Sequence, residues 1–90
     1  LANNKAAEKR IRTNETKRVR NRPYRSAART FVKKAELTIR SGDLDAAQTA
    51  VVQAVSMLDR TAQKGIIHKN NAARRKSRLQ TKLNAALAAA

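Results

Sequence analysis

Between Gly42 and Gly65 the chain carries Leu44, Ala47, Val51, Ala54, Val55, Leu58 and Ala62, apolar residues spaced three and four apart. At about 100° of turn per residue, with Leu44 at zero, they fall between about −80° and +20°, one face of an amphipathic helix. Ser41, Gly42 and Asp43 form the break before it, since glycine suits a left-handed helix end and Asp43 can cap the helix that follows. Gly65 makes the second break.

The same construction upstream, with Ala28 at zero, puts Tyr24, Ala28, Phe31, Val32, Ala35 and Ile39 between about −60° and +40°. On that wheel Arg18, Arg22, Arg25, Arg29 and Lys33 lie between about +60° and +140°, a basic stripe beside the apolar one. Leu37 falls on the far side and joins no core face. Downstream, with Ala72 at zero, Leu79, Leu83, Ala86 and Leu87 occupy about −40° to +60°, flanked by Arg74, Arg75, Arg78 and Lys82 at about −160° to −60°. Lys76 points into that apolar face and is expected to snorkel along it. Three amphipathic helices with short connections predict an all-α three-helix bundle with a long, basic first helix.

The pattern fades before Tyr24. Lys17 stands where a core residue would be expected, and Ile11 and Val19 are the only large aliphatic residues from Asn4 to Arg22. Pro23 removes a helix bond to the Val19 carbonyl and tends to kink the chain, or it opens a new helix. The unbroken phase of the stripe across Pro23 predicts one long, bent helix in a bound state, with the arm disordered in the free chain. The expected organisation is one domain over 1–90: a basic arm at 1–22, the core-bearing part of helix one at 23–41, helix two at 43–64 and helix three at 68–87. The alanine-rich tail from Ala85 is expected to fray.

Composition narrows the function. Ninety residues are too few for a deep, walled active site. Two Gly, one Pro, one Tyr, one Phe and no Trp disfavour a β-sandwich or barrel. Without Cys there is neither a disulfide framework nor a thiolate metal site. His68 is the single histidine and the six acids are scattered, so no catalytic or metal-binding cluster is expected, and no cofactor. Asp43 and Asp45 echo a calcium loop, but the glycine and closing glutamate that such a loop needs are missing. Asp59 beside Arg60 reads as a surface pair. No apolar run approaches the ~18 residues of a membrane span, and the N-terminal segment has no secretory h-region. The chain reads as soluble and intracellular.

Charge says most about partners. The net charge is +15, and it is segregated: residues 1–34 hold twelve cations and two acids, 35–59 one cation and four acids, and 60–90 eight cations and no acid. Ordinary solvated faces mix both signs, so two unmixed basic stripes imply a polyanion. The two aromatic residues both fall on a core face, which argues against single-strand binding by base stacking. Structured RNA, contacted through backbone and shape, fits best. Two rivals share the charge: a histone-like DNA-compacting protein and a membrane-surface amphipathic peptide. His68 reads either as a structural residue at a helix start or as a donor to phosphate or base, and Lys69, Asn70 and Asn71 beside it can all reach phosphate or sugar oxygens.

The segments LANNKAAEKR at the start, RTFVKK at Arg29 to Lys34, SGD at Ser41 to Asp43 and above all KGIIHKNNAARRKSRL from Lys64 to Leu79 resemble the bacterial and plastid S-twenty family of small-subunit ribosomal proteins. The resemblance spans nearly the whole chain. It implies a three-helix bundle that binds small-subunit ribosomal RNA directly and early in assembly, in the cytoplasmic ribosome of a bacterium or the stromal ribosome of a plastid. Few protein contacts, no membrane and no small-molecule substrate are expected. The implied RNA-facing residues are Lys5, Lys9, Arg10, Arg12, Lys17, Arg18, Arg20, Arg22 and Arg25 in the arm and its continuation, Arg29, Lys33 and Lys34 in RTFVKK, and Lys64, His68, Lys69, Asn70, Arg74, Arg75, Lys76 and Arg78 in the last motif. Pro23 departs from the uninterrupted first helix expected of the family. The two stripes are expected to form a two-sided clamp, with the acidic middle helix turned away.

Overall fold

The computed structural model describes residues 4–90, so residues 1–3 of the expected basic arm lie outside it. Three helices follow one another: α1 (Lys5–Ser41), α2 (Leu44–Gln63) and α3 (Lys69–Ala89), with no strand among the described residues. The Asn4 side chain opens α1 by accepting the Ala7 N–H at 2.7 Å, and Glu8 sits in the positive first turn. α1 then runs through Pro23 without interruption. The arm, expected to be disordered in the free chain, is helical, because the cap and a run of good helix formers act locally. At 1.5 Å per residue α1 is about 55 Å long, which accounts for most of the 62 Å long axis of a molecule otherwise about 20 Å across.

Gly42, with φ of 84°, ends α1 in the left-handed region, and the Asp43 carboxylate caps α2 by accepting the Ala46 N–H at 3.2 Å. The α2–α3 connection is a Schellman closure. The Gly65 N–H donates to the Ala62 carbonyl at 2.9 Å, and the Ile66 N–H reaches back to the Thr61 carbonyl at 3.1 Å. Gly65 takes a φ of 76° to make it, and Ile66 is buried as the hydrophobic contact that accompanies such a closure.

α2 lies against both other helices. The core is small and alanine-rich: Ala28, Ala35, Ala47, Ala50, Ala54 and Ala72, with Val51, Leu58, Leu79 and Leu83 supplying the larger side chains. The buried arc of α2 runs from Ala50 and Thr61, near −120° and −100°, to Val51 near −20°, about 40° round from the expected face. Thr61 is fully buried because its hydroxyl donates to the Met57 carbonyl at 2.7 Å, leaving no unsatisfied donor. Val55, on the expected face, is only half-buried. Leu87, also expected in the core, is 37% exposed at the edge of the α3 stripe. Leu37 is exposed, and α3 continues through the tail to Ala89.

Candidate nucleic-acid interface

Two contacts show that α1 and α3 run in the same direction. Near the start of α3, Arg25 donates to the Ile66 carbonyl at 3.2 Å; further along, the Lys82 ammonium meets the Glu36 carboxylate at 2.9 Å. In parallel helices sharing one core, stripes that flank the apolar faces on opposite sides turn toward the same groove. Arg25, Arg29 and Lys33 of α1 therefore face Arg75 and Arg78 of α3 along two adjoining clefts, with Arg29 and Arg75 lining both. The groove ends at Glu36, whose carboxylate is occupied by Lys82.

The entrance to α3 is built by its own cap. His68 Nδ1 accepts the Asn70 N–H at 3.0 Å, so a neutral imidazole carries its proton on Nε2. The capping role and the donor role are thus compatible. Asn71 is half-buried and lines the groove beside His68 and Arg75, whereas Asn70 and Lys69 are exposed and do not. The family pattern, carried over residue by residue, favours Asn70; the helical phase of Asn71 relative to Arg75, four positions on, is the signal that points to Asn71 instead.

The remaining cations are distributed unevenly. Lys5, Lys9, Arg10, Arg12, Lys17, Arg18, Arg20 and Arg22 are exposed and spread around the arm, so no single face is basic. One shallow groove of the arm gathers Lys9, Arg12, Lys17 and Arg20. Lys34 points away from the α1–α3 groove, near −120° on the α1 wheel, and Arg74 is exposed on α3 outside its lining. Besides Arg25 and His68, three of the implied residues have protein partners. The Lys64 ammonium lies 5.1 Å from the Tyr24 ring centre, a cation–π contact. Lys76, expected to snorkel, instead reaches across to Asp59 on α2 at 2.6 Å, and Lys76 rather than Arg60 is the partner of Asp59. Arg18 pairs with Glu15 at 2.6 Å within the arm; its hydrogen bond and then its charge hold the Glu15 carboxyl below the ordinary value.

Neither aromatic residue is exposed: Tyr24 and Phe31 are half-buried, so no stacking platform is presented. The described residues contain no cluster of three potential metal ligands and no helix long and apolar enough to cross a membrane.

The sequence pattern of the family described as Ribosomal protein S20 matches residues 2–84. The chain belongs to this family. It is 56% identical over 89 residues to the small ribosomal subunit protein bS20 of Roseiflexus, covering 99% of this chain and 97% of the relative. Its identity to the protein of the same name from Thermomicrobium roseum is 54% over 85 residues, covering 94% and 86%. The Cellvibrio japonicus relative is 53% identical, covering 94% and 97%. Family membership therefore extends over the arm and the bundle alike.

Proposed function

We propose that the chain is a structural constituent of the small ribosomal subunit that binds the subunit's RNA directly and helps it fold and assemble, without catalysing a reaction. The observation that carries this is the groove between α1 and α3, where five cations from two helices line one surface whose single carboxylate is neutralised. Such a surface matches a rigid array of phosphates. The RNA-facing set includes the arm cations, Arg25, Arg29, Lys33 and Lys34, and the basic and polar residues from Lys64 through Arg78. Few protein partners are needed, since α2 serves packing. The relatives compared are bacterial, which favours a bacterial ribosome over a plastid one.

Competition at near-physiological salt tests the reading. The protein is bound to small-subunit ribosomal RNA and challenged with excess unrelated structured RNA and duplex DNA. Retention of the ribosomal RNA is the expected result. Equal displacement by all competitors would leave a histone-like polycation instead. Arg74→Glu with Arg78→Glu should weaken retention while the helical circular-dichroism signal stays unchanged.

A further inference from the structure

The cations fall into two physically different sets. Those of the arm project from a solvated helix in many directions and, apart from Arg18, which is paired with Glu15, each can follow a phosphate wherever it lies. Several groups of the α1–α3 groove are held in place, while Arg29, Lys33 and Arg78 line it as exposed side chains. Arg25 is tied by one guanidinium nitrogen to the Ile66 carbonyl, and His68 is oriented by its bond to the Asn70 N–H, while Asn71 and Arg75 are half-buried against Ala28 and the Ile66–Ile67 turn. A planar guanidinium held at a set angle donates to two oxygens of a phosphate only when the phosphate arrives in matching geometry.

We propose that the groove segment formed by Arg25, Arg29, His68, Asn71 and Arg75 is the element that selects folded ribosomal RNA, by geometric recognition of backbone phosphates, whereas the arm supplies affinity without selectivity. This deepens the RNA-binding reading and rests on it. Asn71 acts here through hydrogen bonding alone, without charge, and is a specificity residue that net charge does not reveal. His68 contributes its Nε2–H as a donor directed away from the cap.

Charge-conserving substitution separates the two sets. Arg29→Lys with Arg75→Lys keeps the net charge but removes both forks, and Arg12→Lys with Arg20→Lys does the same in the arm. For the groove pair, affinity for small-subunit ribosomal RNA should fall on the order of tenfold or more, with affinity for an unrelated structured RNA, the slope of binding against salt and the thermal melt all unchanged. The arm pair should shift affinity for both RNAs alike, leaving the preference between them unchanged. Asn71→Ala should lower the preference for ribosomal RNA in the same direction, with no change in salt slope. Equal losses of preference from the two pairs, or an undiminished preference in the groove pair and in Asn71→Ala, would overturn the proposal. Absence of any preference in the unaltered protein would instead remove the RNA-selective reading beneath it, so the two failures are distinguishable.

Discussion

From Glu8 to Arg20 every residue of α1 is exposed, including Ile11 and Val19, whereas from Tyr24 to Ile39 the same helix buries Ala28 and Ala35 and half-buries Phe31, Val32 and Ile39. The backbone is continuous across the two stretches, so the difference lies wholly in what the side chains meet. The second stretch is held by tertiary burial; the first has a cap, good propensities and one Glu15–Arg18 pair, terms worth a few tenths of a kcal/mol to about 1 kcal/mol each in helices generally. A helix can be long without being uniformly stable.

The largest effect expected from this contrast comes from the core. Leu58 is fully buried, and Leu58→Asp strands a charge there at a cost of several kcal/mol, comparable to the ~5–15 kcal/mol that holds a small domain together. Its cooperative thermal transition should vanish from circular dichroism, while Ile11→Asp in the arm should leave the transition in place. Removal of residues 1–20 comes next: the melting temperature of the bundle should hardly move, and the salt slope of RNA binding should fall by about 0.9 for each phosphate that the arm no longer neutralises. If the arm stabilised the bundle, its removal would lower the melting temperature instead.

Pro23→Ala sharpens the comparison at the boundary. It restores a donor to the Val19 carbonyl and relieves a helix-interior penalty of up to about 3 kcal/mol. Arm amides from Ile11 to Val19 should gain protection in hydrogen exchange while those from Val51 to Leu58 stay as they were. The smallest effect belongs to Glu15→Gln, which frees Arg18 and removes one acid from the arm. RNA binding should tighten slightly, with no measurable change in the melt.

The three helices and the Asp43 cap were legible because apolar spacing and the Gly42–Asp43 and Gly65 breaks are local. What was not legible depended on neighbours. The wheel for α2 centred between Val51 and Leu58, with Val55 at its edge; packing on two sides shifted burial toward Ala50 and Thr61, which are small or polar and carry little hydrophobic signal. Ile66 lay outside any periodic window, and only the turn geometry buries it. The basic stripes could be drawn from sequence and were expected to form a clamp, but which of their cations share one groove follows from the parallel course of α1 and α3. Lys76 and Lys64 show the limit of reading partners from charge alone, since Asp59 and Tyr24 claim them in the fold.

The tightness of the two turns also bears on time. Helices joined across Gly42–Asp43 and Lys64–His68 pack mainly against their neighbours in sequence, and bundles of that kind form in microseconds to milliseconds. A ribosome adds only about 5–20 residues per second. The bundle is therefore complete within the interval of a single peptide bond once α3 is released, and the protein reaches nascent RNA with its groove already assembled, so the speed of its own maturation sets no limit on when it can join a growing particle.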